Sequence, residues 1–354
     1  MNRGSVLVAP LNWGLGHATR CIPIIQQLKA SGFRPVIASD GTALELLKKE
    51  FPKLTHYKLP ELDIKYAKQG LWFKFKIFTQ LSQLTKCIRK EQKILKTIIE
   101  KEELVGIISD NRLGLFHSKI PCVIISHQLN VLSGNTTWLT SKMHLQFIKK
   151  YTECWVPDLE GTPNLSGRLG HIKSKRLNIK YIGILSRFKK RKVGIDNDIL
   201  IVLSGPEPQR SLLEERLIEK LKDVPKRIVL VRGKVEDVQT TGKTGNITVH
   251  NFKKAKALED LILKSDFIIA RSGYTTLMDL AMLDKNALFI PTPGQTEQEY
   301  LAQRLEKYGI SPYCKQHKFE AEQIERVKGF KGLGCVYRDN PIVLRDFFSL
   351  FNGK

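Results

Sequence analysis

The six cysteines, Cys21, Cys87, Cys122, Cys154, Cys314 and Cys335, are scattered along the chain with no CxxC pair among them. That spacing supports neither a zinc site nor a disulfide framework, and buried free thiols in a reducing compartment are the expectation. No apolar window approaches the roughly 18 residues that a membrane-spanning helix needs. The N-terminal SVLVAPL is too short for a signal-peptide core and runs straight into a glycine loop, so it reads as a first strand. A cytoplasmic protein is expected. No Asp-x-Asp pair suited to a metal–diphosphate complex stands out, so chemistry without a metal is expected. Acidic residues are scarce: 35 Asp and Glu against 58 Lys and Arg leave a net charge of +23. Such an excess attracts polyanions, whether nucleic acid, anionic lipid or phosphorylated substrates, and does not choose among them.

What is present is globular. Of 354 residues, 42% are hydrophobic and 26% charged, which excludes a disordered or fibrous chain and allows two domains. Short apolar runs (SVLVAP, RPVIAS, LVGIISD, PCVIIS, CWVP) alternate with segments of helical period in the first half, as buried parallel strands alternate with helices. The helical stretch TRCIPIIQQLKASG closes on Gly32, a common helix-ending residue. A second alternating set follows: DILIVLSG, RIVLVRG, NITVHNF, DFIIARSG, NALFIPTP and ISPYC. Between the sets, residues 161–195 hold ten Lys or Arg and no acidic residue. The expected organisation is an α/β chain of two doubly wound Rossmann-like domains facing across a cleft. Residues 1–160 form the first and 196–354 the second, with 161–195 as a basic connection and the last helix packing back on the first domain.

The residues that can carry chemistry sit at strand ends. In DFIIARSGYTTLMDLAML a strand meets a turn at Arg271, Ser272 and Gly273, and a helix begins near Tyr274. Exposed amides at that helix start, with the Ser272 and Thr275 hydroxyls, suit a phosphate. Asp279, deeper in the helix, suits a pair of sugar hydroxyls. Gln298 and Glu299 follow a second strand and a Pro/Gly loop and can read a hexose.

These two segments, ARSGYTTLMDLA and FIPTPGQTEQEYLAQ, resemble the C-terminal signature of glycosyltransferase family 28. The resemblance implies a GT-B fold, with the nucleotide-sugar donor held mainly by the second domain. Asp279 stands where the family has a ribose-binding glutamate, and Gln298 and Glu299 stand where a glutamine pair meets the donor sugar. The stretch LSGPEPQRS occupies the place of a Gly/Ser-rich loop, which gives Ser204, Gly205 and Gln209 to the diphosphate. On the acceptor side, NWGLGH matches a glycine-rich loop ending in histidine (Gly14, Gly16, His17). SHQLNVLSG resembles an acceptor loop that contains His127, Gln128 and Asn130.

The activity so implied is inverting transfer of a hexose or N-acetylhexosamine from a UDP-sugar, a substrate rather than a cofactor, to an acceptor sugar that the resemblance allows to be lipid-linked. Leaving-group charge falls to the helix starts after Gly205 and Gly273, with Arg271 nearby. The proton acceptor is His17, Asp110 or His127. His17 is the first choice, because the positive end of a helix keeps its imidazole neutral. A nucleotide-sugar 2-epimerase, a non-catalytic sugar-nucleotide-binding protein and a polyanion-binding protein are the alternatives; no nucleic-acid module is evident, so no nucleic-acid partner is expected. Trp72, Phe73 and Ile77, interleaved with Lys74 and Lys76, read either as part of a packing helix or as a segment on an anionic membrane, which would place the protein peripherally on the inner face. In the packing reading Leu71, Phe75, Phe78, Leu81, Leu84, Ile88, Leu95 and Ile98 share one face.

Overall fold

The computed structural model describes residues 3–61, 73–132, 137–174, 176–234, 236, 238–336 and 343–352, with backbone alone for 73–82 and 139. The aromatic and apolar side chains of residues 71–82 lie outside the described residues. Farther along the same helix, Leu95 and Ile98 are buried.

The first sheet has seven strands in the order β3-β2-β1-β4-β5-β6-β7. They are β1 (Ser5–Pro10), β2 (Arg34–Ser39), β3 (Thr55–Lys58), β4 (Leu104–Asp110), β5 (Cys122–Ile125), β6 (Glu153–Val156) and β7 (Ile179–Tyr181). All pairs in it are parallel. Helices α1 (Gly16–Ala30), α2 (Gly41–Glu50), α3 (Phe73–Glu102) and α4 (Thr137–Ile148) make the crossovers. The central strands are buried along their whole length, which is why they read as unbroken apolar runs rather than alternating ones. β7 lies inside the stretch expected to be a connection. Part of that basic segment is therefore the edge of the first sheet.

The second sheet runs β10-β11-β9-β8-β12-β13. Its strands are β8 (Asn197–Val202), β9 (Ile228–Val231), β10 (Thr241–Thr244), β11 (Ile247–His250), β12 (Ser265–Ala270) and β13 (Asn286–Phe289). Only β10 is antiparallel to its neighbour. Helices α5 (Gln209–Leu221), α6 (Ala255–Leu263), α7 (Tyr274–Met282) and α8 (Thr296–Lys307) surround it. ISPYC, expected as a strand, makes only a single bridge, from Tyr313 to Phe289. Gly309, Pro312 and the short 3-10 helix that follows at Gln316–Lys318 leave no length for a ladder.

After the second sheet the chain returns to the first. The 3-10 helix Leu344–Phe351 buries Phe348 and Phe351 against Phe33 and Trp155. Gly106 of β4 makes the room: a Cβ there would stand 2.2 Å from the Phe351 ring. Among the described residues no helix is long and apolar enough to cross a membrane.

Candidate active site

In the first sheet the strand order reverses between β1 and β4, and ligands of open α/β sheets sit beyond the carboxyl ends at such a point. Three neighbouring strands deliver side chains there. β1 runs into a loop in which Gly14 has φ +65°, a left-handed turn that costs glycine little. This loop starts α1 at Gly16 and puts His17 in the first turn. β4 ends on Asp110, fully buried. β5 leads into the loop carrying His127, which is buried, and Gln128.

The structure brings His17 and Asp110 together. His17 Nδ1 stands 2.9 Å from Asp110 Oδ1. Arg20, one turn further along α1, holds the same carboxylate: its Nε donates to Oδ2 at 2.6 Å and its Nη2 to Oδ1. Burial alone would raise the Asp110 pKa, but Arg20 and His17 hold it well below the usual carboxylate range. Burial, with Arg20 and His127, lowers the His17 pKa against the opposing pull of Asp110. The His17 imidazole is thus neutral at pH 7, as a proton acceptor must be.

The second sheet supplies the facing wall. α7 approaches α1 so closely that a Cβ on Gly16 would stand 2.8 Å from Thr275 Oγ1. That contact accounts for the second glycine of the loop. Tyr274 stacks on the His127 ring and donates its hydroxyl to the Pro157 carbonyl at 2.9 Å. Glu297, at the start of α8, lies 2.8 Å from His127 Nε2 and accepts from Gln128 Nε2. Burial raises the Glu297 pKa, but His127, Arg20 and His17 together outweigh it and the net shift is down.

The residues expected at the donor side are placed differently from one another. Ser204 and Gly205 are exposed in the loop after β8. A Cβ on Gly205, where φ is +101°, would meet Thr292 Oγ1 at 3.5 Å, and that hydroxyl is buried without a partner. Gly273 is the N-cap of α7 and Ser272 is buried beside it, its hydroxyl donating to the Gln298 carbonyl at 2.8 Å. Arg271 is buried beside this turn. Its Nη1 donates to the Ile290 and Pro291 carbonyls and its Nη2 to the Gln209 carbonyl and Gln316 Oε1. Its two terminal nitrogens thus brace three loops, while its Nε is buried without a partner. Gln209 joins that brace by accepting from Gln316 Nε2.

Gln298 and Glu299, both half-buried, turn back on their own loop: Gln298 accepts from the Thr292 amide and Glu299 from the Gly294 amide, so both shape the Pro/Gly loop. Glu297, one position earlier, crosses the cleft instead. Asn130 braces the start of α4 by accepting from Ser141 Oγ. Asp279 accepts a 2.5 Å bond from Ser186, and burial raises its pKa to about 6.

Sequence reasoning passed over Arg20, Tyr274 and Glu297. Arg20 is signalled only by lying three residues after His17 on one helical face; the other two are legible only once the halves meet. The sequence does contain one Asp-x-Asp spacing, Asp196 and Asp198, at the amino end of β8. It is paired with Lys264 and Arg227, away from the carboxyl ends that form the cleft. Among the described residues no three His, Cys, Asp or Glu side chains gather as metal ligands.

Residues 201–328 match the model of the glycosyltransferase family 28 C-terminal domain. An uncharacterized glycosyltransferase of Methanopyrus kandleri is 23% identical over 305 residues, spanning 80% of this chain and 85% of that one. The UDP-N-acetylglucosamine--N-acetylmuramyl-(pentapeptide) pyrophosphoryl-undecaprenol N-acetylglucosamine transferase of Clostridium botulinum is 26% identical over 293 residues, 78% of this chain and 75% of its own. Among solved structures, Acinetobacter baumannii MurG superposes with a TM-score of 0.53 at 16% identity, over 92% of this chain and 89% of that one. The calicheamicin glycosyltransferase CalG4 gives 0.63 at 12% identity, over 99% and 95%. The fold these structures share with the chain is GT-B.

Proposed function

The chain is a MurG-like glycosyltransferase of family 28, and from that premise we propose that it is an inverting enzyme in which His17 takes the proton of the acceptor hydroxyl. It moves a hexose or N-acetylhexosamine from a UDP-sugar onto an acceptor sugar carried by a lipid. The observation that carries this reading is the 2.9 Å approach of His17 to Asp110 at the β1–β4 switch point, with the start of α7 opposite.

The acceptor oxygen attacks the anomeric carbon as the bond from that carbon to the UDP oxygen breaks. Its proton passes to His17 Nε2, while Nδ1–H donates to Asp110 and the carboxylate stabilises the imidazolium. Negative charge gathering on the leaving diphosphate meets the first amides of α7, the exposed loop at Ser204 and Gly205, and the Thr292 hydroxyl.

A lipid-linked acceptor also fits the surface around α4. Trp138 is 72% exposed and Lys142 lies over its ring at 4.9 Å. Lys150 covers Phe116 and Phe147, and Lys142, Lys149 and Arg176 line one hollow. Neither residues 137–152 nor 161–195 contain an acidic residue. Such a surface suits anionic headgroups, which supports action at the inner face of a membrane. Vesicles containing phosphatidylglycerol should co-sediment the protein and pure phosphatidylcholine vesicles should not; equal binding to both counts against this part.

The decisive test is a set of transfer assays with His17→Ala, alongside calorimetry with UDP. Transfer should be lost with UDP affinity kept within about threefold. Undiminished transfer sinks His17 as base, and absence of any UDP binding by the unmodified chain sinks the donor assignment.

A further inference from the structure

We propose that Glu297, contributed by the second half of the chain, is a positioning residue that orders the hydrogen bonds behind His17 only when the cleft is shut. The inference rests on the reading of His17 as the proton acceptor. It starts from a simple inventory: a guanidinium can only donate, a carboxylate can only accept, and a neutral imidazole does one of each.

His127 lies between one of each kind. Its Nδ1 is 3.3 Å from Arg20 Nη1, which donates, and its Nε2 is 2.8 Å from Glu297 Oε1, which accepts. One arrangement satisfies both neighbours, the neutral ring protonated on Nε2. Glu297 therefore fixes the His127 tautomer and leaves its Nδ1 bare for Arg20.

The consequence appears at His17. Its Nδ1 has two competitors, Arg20 Nη2 at 2.8 Å and Asp110 Oδ1 at 2.9 Å. If Arg20 donates there, the ring proton moves to Nε2 and His17 cannot take a proton from the acceptor. If Asp110 accepts there, Nε2 is bare and basic. With Nη1 engaged on His127 and Nε on Asp110 Oδ2, the guanidinium is held on the carboxylate, and His17 is left to donate to Asp110. Without Glu297, His127 is free to carry its proton on Nδ1, facing Arg20. The guanidinium then loses an acceptor and turns to the His17 nitrogen.

Charge works in the same direction. The groups around His17 are Arg20 and Cys21 on its own helix, Asp110 from β4, His127 from the loop after β5, Tyr274 from α7 and Glu297 from α8. Arg20 and Asp110 cancel, and Glu297 adds one negative charge, which favours an imidazolium at His17. Removing it makes His17 harder to protonate, so the acid limb of the rate profile moves to lower pH while the plateau falls with the weaker, misordered base.

The experiment compares pH profiles of transfer for the unmodified chain, Glu297→Gln, Glu297→Asp and His17→Ala, with UDP affinity by calorimetry and melting curves for each. Glu297→Gln keeps the shape of the side chain and should fold. It should lower plateau kcat by about 10- to 100-fold and move the acid limb down by roughly half to one pH unit, leaving UDP affinity within about twofold. Glu297→Asp should recover part of the rate. An unmoved acid limb with unchanged kcat overturns the proposal, as does an effect confined to donor KM. Transfer retained in His17→Ala overturns the base assignment itself, whatever Glu297 does, so the two failures are distinguishable.

Discussion

The His127 ring lies flat on the Tyr274 ring, with centroids 4.1 Å apart and planes 4° from parallel. One ring belongs to the loop after β5 and the other to the helix after β12, so a stack joins the two halves beside His17 and Asp110. Tyr274→Ala should lower the melting temperature and raise donor KM, since truncating a buried aromatic costs about 3–5 kcal/mol. Tyr274→Phe keeps the stack and loses one hydrogen bond to Pro157, a cost of about 1 kcal/mol, and should leave donor KM near its starting value. Equal defects in both variants would assign the effect to the hydroxyl rather than the stack.

Asp110→Asn removes the counter-charge of a buried arginine and should destabilise the fold at pH 7 by about 3–5 kcal/mol. The folded-state pKa of Asp110 lies below its unfolded value of 3.8. Its contribution is therefore complete above that value and declines as pH falls from there toward the folded pKa. Urea midpoints at pH 7 and pH 3 should show a smaller gap between variant and parent at pH 3. A constant gap would detach the effect from ionisation.

Asp279 works with the opposite sign. Its pKa is raised from 3.8 to about 6 by burial, so ionising it opposes folding, and stability is lost as pH rises between those values. Asp279→Asn should melt higher than the parent at pH 8, by at most about 3 kcal/mol of stability, and melt alike at pH 3. If this carboxylate also holds the donor ribose, UDP affinity falls in the same variant. No gain at pH 8 would remove the desolvation argument.

Phe351→Ala should cost about 3–5 kcal/mol by opening a cavity over Gly106, read from the denaturation midpoint. A loss below about 1 kcal/mol would mean that the final helix contributes little to holding the chain end on the first sheet.

The central strands were legible because burial on both faces writes itself as continuous Val, Ile and Leu. The edges were not: THYK, IKY and TGKT form β3, β7 and β10 with little or no buried side chain, and their pairing is decided by neighbours already in place. His17, Asp110 and His127 were readable as strand-end residues, since chemistry collects there in doubly wound sheets. Their grouping was not, because it depends on Arg20 reaching all three. The bracing bonds of Arg271 were hidden for a related reason. An arginine at a phosphate turn and an arginine tying loops look alike until the carbonyls around it are known. Glu297 could not be chosen over Gln298 and Glu299 without the angle at which α8 leaves its loop.

The return of Leu344–Phe351 to the first sheet means that the chain passes between the two halves twice, once before β8 and once after the second sheet is complete. A body joined to another at one point can swivel freely; joined at two, it turns about the line between them. Two crossings restrict how the second half can turn against the first, and in this arrangement Tyr274 and Glu297 both meet His127. Alignment of the two halves at His127 is thereby tied to a tail packed on Phe33 and Trp155.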